Sequence, residues 1–282
     1  MLAAMLLGAL LPACTVMMKL AYNQASELVY WHLDGHFDFT DIQGVQVRAE
    51  LGKLHAWHRQ TQLPGYIDTL QKLQQQMPQD MDTAKACAVY ADLRRKLQVV
   101  AEQAGPMTAR LAGTLHASQM KKLQQRFDKG NADYREDFLE SAKTSRKKRY
   151  KEAVNRAEML YGRLDEKQLD IIGRRIDMSH FDASVSYRER LRRQQDALQT
   201  LRPLTGGQST PDKTHTAVKG LFERTLSSPD TAYRDYLESL SQDICQGFAE
   251  LHNSTTPAQR GKAVEVLHRY ERDFRTLNGQ KA

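Results

Sequence analysis

Apolar residues recur three and four positions apart along most of the chain. Ala86, Tyr90, Leu93, Leu97 and Val100 form one such stripe. Tyr233, Leu237, Leu240, Ile244, Phe248 and Leu251 form another, and Val264, Leu267, Tyr270, Phe274 and Leu277 a third. Each is one face of an amphipathic helix, and its Met and aromatic members are expected in the core. No stretch alternates β-branched and polar residues at a period of two, so no strand is expected. The intervening positions are rich in Leu, Gln, Lys, Arg, Glu and Ala, which lose little on entering a helix. The fold class expected is all-α, a bundle-like assembly of long amphipathic helices with no sheet.

Start and stop signals divide the pattern into segments. Thr256-Pro257-Ala258-Gln259 places Thr at an N-cap, Pro in the first turn and Gln where it reaches back to the cap. Asp165-Glu166-Lys167-Gln168 repeats the device, while Thr210-Pro211 and Ser228-Pro229 read as cap plus first-turn proline. Leu63-Pro64-Gly65 and Met77-Pro78 mark turns or helix starts. Helices are expected near 20–33, 40–60, 64–76, 82–103, 106–113, 117–142, 145–163, 166–177, 181–202, 211–226, 229–252 and 257–277. Continuity is weakest at Pro203–Pro211, PLTGGQSTP. This divides a main helical domain, 23–203, from a C-terminal helical subdomain, 204–282, expected to pack on it.

One segment has a different pattern. Met1–Cys14, MLAAMLLGALLPAC, is an uncharged apolar run ending in a small residue and a cysteine. That is the layout of an export signal, and the cysteine makes it look like a bacterial lipoprotein signal. Residues 1–13 are then removed, Cys14 carries acyl groups such as palmitate, and 14–22 form the tether. Thr15 after the cysteine, by resemblance to enterobacterial sorting, favours the periplasmic face of the outer membrane. Pro12 and the shortness of the run argue against a membrane span.

Export changes how the cysteines and charges read. With Cys14 lipidated, Cys87 and Cys245 are the remaining two of three cysteines. An even pair in an oxidising compartment invites a disulfide; two buried free thiols are the alternative. The chain has 282 residues and a net charge of +7. Its pI is near 9.2 and its mean hydropathy −0.63. A basic surface outside the cytoplasm suits acidic proteins, acidic lipid or glycolipid, and makes nucleic acid the least suitable partner. The densest cluster is Lys143, Arg146, Lys147, Lys148, Arg149, Lys151, Arg156 and Arg163, opposed by Glu152 and Glu158. A solvated helix face explains it, and Arg146, Lys147, Lys148, Arg149 and Lys151 are the residues expected to touch an acidic ligand if one binds. Arg188, Arg190, Arg192 and Arg193 make a second cluster on one helix.

Catalytic signatures are absent. There is no Gly-rich phosphate loop, G-x-S-x-G or H-E-x-x-H, and no cofactor is expected. His32/His36 and His55/His58 have ligand-like spacing, but Asp34-Gly35 is expected to end a helix between the first two. No metal site is expected. Asp133, Glu136, Asp137 and Glu140 read as a wet helix face rather than a catalytic dyad.

Five segments together resemble an uncharacterised family of proteobacterial lipoproteins. They are Leu20–Gln24 (LAYNQ), Tyr30–Phe39 (YWHLDGHFDF), Trp57-His58-Arg59 with Thr61–Pro64, Arg156–Leu164 (RAEMLYGRL) and Leu251–Arg260 (LHNSTTPAQR). The resemblance implies anchor and compartment and brings no catalytic residue. Leu115–Gln119 and Leu164–Gln168 are also similar to the L-T-x-x-Q motif of small periplasmic chaperones of the Spy and CpxP type. The function expected is non-enzymatic: a lipid-anchored, periplasm-facing protein that binds other proteins and is chaperone-like. The alternatives are an assembly lipoprotein with one dedicated partner, or a binder of lipopolysaccharide or peptidoglycan through a basic helix face.

Overall fold

The computed structural model describes residues 18–207 and 209–280. Cys14 and the signal at 1–13 lie outside the described residues. Among these residues there are eleven α-helices and no strand. They are α1 (Ala25–Phe37), α2 (Asp41–Trp57), α3 (Leu63–Gln76), α4 (Thr83–Ala112), α5 (Ala117–Tyr134) and α6 (Ala142–Tyr161). The rest are α7 (Glu166–Met178), α8 (Ala183–Leu201), α9 (Pro211–Leu226), α10 (Thr231–Asn253) and α11 (Pro257–Gly279). No helix of the described residues is long and apolar enough to cross a membrane.

The caps read from sequence position these helices. Thr256 and Asp165 accept backbone N–H bonds from Gln259 and Gln168, and both glutamines return the bond. Thr210 caps α9. Ser228 does not start α10. Asp230 caps it, and the buried Ser228 hydroxyl donates to Glu189 instead.

A further capping box, Thr40/Gln43 on α2, and the glutamine half of one on α5, where the Gln119 side chain accepts from the His116 N–H, complete a pattern. The four box glutamines meet in pairs. The amides of Gln43 and Gln119 donate to each other's oxygens at 3.2 and 2.8 Å. Those of Gln168 and Gln259 do so at 2.8 and 2.9 Å. Each pair clasps two helix N-termini, α2 to α5 and α7 to α11. The remaining amide hydrogens reach carbonyls of Thr114, Asp38, Ser254 and Arg163. Gln43, Gln119 and Gln168 are buried, so their polar groups are matched where water cannot replace the partner, while Gln259 is half-buried.

Each clasp closes the end of a core. Around the α7–α11 clasp, Tyr161, Leu164, Ile171, Ile172, Cys245, Ala249 and Leu267 pack with Met77 and Met81. Around the α2–α5 clasp, Ala109, Ala112, Leu115, Met120, Leu198, Leu201 and Val218 pack together. A smaller cluster of Tyr30, Val47 and Leu51 leans on the second through Phe39 and Leu111. Helix α4 serves both large cores: its start packs on α10 and its end on α9. Its 30 residues span about 45 Å.

This geometry corrects several expectations. Residues 82–103 and 106–113 are one helix that runs through Pro106. The proline is exposed, and so is Glu102, whose carbonyl water can satisfy. The stripe on α4 is core only at its start, Ala86 and Tyr90. Leu93 is 47% and Leu97 68% exposed, because they lie between the two packed ends. On α10 the buried line is Ser241, Cys245, Ala249 and His252, leaving Ile244 53% exposed. Asp34-Gly35 does not end α1. The helix continues to Phe37, and Asp38 takes the left-handed conformation (φ 57°) with its N–H on the Asp34 carbonyl. His32 and His36 therefore share a face, with rings 4.7 Å apart. Leu63-Pro64 does start a helix, α3, with the proline in its first turn, and a π-helical turn, His58–Gln62, joins α2 to it without a gap.

The loop read as a subdomain boundary is tied in. Leu204 is buried in the second core, and the Gly206 N–H donates to the Leu115 carbonyl. Helices α10 and α11 pack on α3, α4, α6 and α7. Cys87 of α4 and Cys245 of α10 form a disulfide, Cα atoms 5.1 Å apart, closing a loop of 158 residues. At the other end, the segment expected as tether is helical at 18–23. Lys19 pairs with Asp273, the Tyr22 hydroxyl bonds His58 Nδ1 at 2.9 Å, and Asn23 Oδ1 accepts from Arg59 at 2.7 Å.

Gln168→Glu separates capping from clasping, because Glu also completes a capping box. It sets a carboxylate against the Gln259 oxygen and the Ser254 carbonyl. Thermal melts are expected to show a loss of about 2–3 kcal/mol, or roughly 5–10 °C. An unchanged midpoint would mean that capping alone matters. Replacing Cys87 and Cys245 together by Ala is expected to lower stability by at most about 5 kcal/mol, by loop entropy, read as the midpoint in denaturant.

Candidate functional site

The sequence cluster of basic residues falls on α6, where successive side chains are about 100° apart. The fold therefore divides Arg146, Lys147, Lys148, Arg149 and Lys151 rather than pooling them. Arg146 makes two bonds to Asp177, at 2.6 and 2.7 Å. Lys148 pairs with Asp137. Lys147 and Lys151 are exposed and make no ion pair among the described residues. Arg149 alone turns inward. Its guanidinium lies 4.4 Å from the Phe181 ring centre and donates to the Ile176 carbonyl at 3.3 Å. Burial lowers its pKa, since desolvation penalises the charged form.

Arg149 marks the rim of an apolar groove of about 370 Å³ between α6, α7 and α10. Ala153, Ala157 and Leu160 form one wall, Ile172 and Ile176 another, and Ile244, Phe248 and Leu251 the third. Each wall follows from helical spacing: 153/157/160, 172/176 and 244/248/251 are single faces. The disulfide and the buried Ser241, Cys245 and Ala249 rotate α10 so that Ile244 faces out.

The rim is predominantly cationic. Arg149 has no carboxylate partner within 4 Å among the described residues, and Arg156 only a 4.0 Å contact to Glu152. Arg175 shares Glu250 with Arg174. The one acid on the rim, Asp243, accepts from the backbone N–H of His180 at 2.7 Å and contacts its ring. Glu250 fastens α10 to α7. The hydrogen bond from Arg174 is the largest influence on its carboxyl, and with Arg175 it outweighs burial, so the pKa falls below its ordinary value near 4.5. Nothing here resembles a catalytic constellation, and no group of three or more metal-binding side chains exists among the described residues. The groove can enclose two or three apolar side chains and present guanidinium groups to acids beside them.

The other candidates serve the frame. His58 lies between the hydroxyls of Tyr22 and Tyr66, and burial lowers its pKa. His55 packs on Tyr22 and is lowered by burial too. Asp133 lines a separate cleft with the arginines of α8. The residue missed as surface, Ile244, is expected in the core from the sequence because the α10 stripe reads as one face; Phe248 packs on the core as expected and also lines the groove. The signal was the cysteine beside Ile244, since a half-turn shift follows once Cys245 is bonded.

A model of DUF6279, a family of unknown function, matches residues 36–214, more than half of the chain. The match takes in α6 and α7 of the groove and stops before α10. No curated protein and no solved structure matches the chain.

The Glu250 tether has a pH signature. Its carboxyl is depressed in the folded state, so its contribution is complete above about 4.5 and is lost as pH falls through the lower folded value. Thermal midpoints measured from pH 6 to pH 3 are expected to fall less steeply in Glu250→Gln than in the parent. Identical slopes would remove Glu250 from the acid response.

Proposed function

The chain belongs to the DUF6279 family, whose function is unknown, and we propose its role from the groove: it is a non-enzymatic docking protein that seats a segment of a partner protein. The observation that carries this reading is an apolar groove with a half-buried guanidinium at its rim that has no carboxylate within 4 Å among the described residues. Its volume suits two or three side chains. That favours recognition of a short segment over the holding of unfolded chains, which calls for a broader apolar surface. Charge complementarity favours as occupant an amphipathic helix with Leu, Ile or Phe on one edge and Asp or Glu beside it. The apolar edge replaces water along Ile172, Ile176 and Phe248, and the acids meet Arg149 and Arg156. Arg is well suited to this place because its planar fork can bind carboxylates in two-point geometry.

We place the protein at the periplasmic face of the outer membrane, held by lipid on Cys14. The apolar run before that cysteine and the disulfide expected of an oxidising compartment support this. With a lipid at Cys14 and the helix at 18–23 docked on α11 and the π-turn, the body is held close to the bilayer. A docking protein in that position gathers its partner at the membrane surface.

A panel of 15-residue amphipathic helical peptides tests the groove. Peptides pairing Leu or Phe with Asp and Glu are expected to bind, and those with Lys in place of the acids to bind at least tenfold more weakly. Ile244→Asp, an exposed position that leaves folding intact, is expected to weaken the acidic peptides about tenfold. Equal binding of both panels, or no effect of Ile244→Asp, would refute the docking reading.

A further inference from the structure

The second arginine-rich helix leads to a different place. Between α5 and α8 lies a polar cleft of about 600 Å³, bordered by Tyr233 of α10 and His36 of α1. Arg126 and Lys129 enter it from α5, Arg190 and Arg193 from α8. Two carboxylates oppose them. Glu189 is only 5% exposed, and its oxygens are held by Arg192, Arg193 and Ser228. That leaves Arg126, Lys129 and Arg190 facing Asp133. Arg126 and Lys129 are exposed and have no ion pair within 4 Å among the described residues.

Arg190 is positioned without a counter-ion. Its Nε donates to Asn131 Oδ1 at 2.8 Å. Asn131 is buried, and its orientation is fixed by reciprocal bonds with Gln194 at 2.7 and 3.0 Å. The guanidinium carbon lies 5.8 Å from the Tyr134 ring centre. On the facing helix stands Gly130, where an added Cβ would fall 2.7 Å from Arg190 Nη2. A glycine inside a helix costs about 1 kcal/mol relative to alanine. Here it leaves the space that the guanidinium occupies. An amide, an aromatic ring and a missing side chain thus place a permanent cation in a wide polar cleft.

We propose that this cleft binds a phosphate ester carried on a sugar. Arg190 supplies a fixed two-point fork for phosphate oxygens, and Arg126 and Lys129 close over them from solvent. Three cations suit a dianionic phosphate better than a single carboxylate. The cleft is larger than a phosphate alone, and Phe127 and Tyr233 line part of it. The phosphosugar is either free or the headgroup of a glycolipid. The site shares no residue with the groove of α6, α7 and α10 and stands independently of it.

Calorimetric titration of the full folded chain with glucose 1-phosphate, and co-sedimentation with phosphatidylcholine vesicles with or without monophosphoryl lipid A, test the proposal. Saturable binding of glucose 1-phosphate, with none of glucose, supports it. Retention on the phosphoglycolipid vesicles in addition identifies the lipid-borne source; binding of the soluble ester alone identifies the free one. Arg190→Gln is expected to weaken binding at least tenfold, and Gly130→Ala severalfold by displacing the guanidinium. The exposed Arg126→Gln and Lys129→Gln leave the thermal midpoint unchanged and reduce the salt dependence of binding. No saturable binding of either probe at millimolar concentration would overturn the proposal. So would affinity that is unchanged in both Arg190→Gln and Arg126→Gln.

Discussion

The amide side chain is self-complementary, and this fold rests on that property twice. A capping box needs only an acceptor at its third helical residue, so Glu and Gln serve equally in an isolated helix. When two such residues meet tip to tip in a dry place, only Gln can donate to its neighbour while accepting in return. Gln43 with Gln119 meets this condition, and Gln168 makes the same exchange with the half-buried Gln259. Each pair fixes where two helices begin and how those beginnings face each other. The remaining connections, α4 between the cores and the disulfide at its first turns, span a distance that the two clasps define.

The residues behind the family resemblance do the same kind of work. Tyr161 and His252 sit in two of the matching segments and bond at 2.9 Å. The Gln79 carbonyl accepts at 2.8 Å from His252 Nε2, so Nδ1 is the acceptor for the tyrosine hydroxyl. Burial lowers the histidine pKa and keeps that neutral tautomer. Asn253 bonds the backbone N–H and carbonyl of Met81, and Arg260 reaches the Pro78 carbonyl and Asp80. Tyr22 and Asn23 meet His58 and Arg59. These segments therefore build a frame in this chain. The groove and the cleft use other residues for most of their surfaces.

Legibility followed the range of each interaction. Caps are local, and Thr256, Asp165 and Thr210 act where the sequence put them. The absence of strands followed from periodicity. The Cys87–Cys245 pairing needed only a count of cysteines and a compartment. What the sequence hid was long-range. Nothing near Pro106 says that its lost bond falls on a wet side of the helix. Nothing in the α10 stripe says which half-turn faces α4. The Lys143–Arg163 run looked like one charged patch because charge was counted along the chain, whereas Asp137 and Asp177 answer it from other helices. The opposite held for Arg190. In sequence it is one arginine among four, and its distinction comes from Asn131 and Gly130 about sixty residues earlier.

The 158-residue covalent loop has a consequence for how the protein ages outside a cell. In the compartment proposed above the protein meets proteases after it has folded, and its exposed turns, such as the one at Ser209-Thr210, are where the backbone is open to attack. A single cut anywhere between Cys87 and Cys245 releases no fragment, because both pieces stay joined through α4 and α10. The severed chain keeps both clasps, since each glutamine pair is held by its own core. Damage of this kind accumulates as hidden breaks in molecules that still sediment and migrate as one, until a reductant separates the pieces.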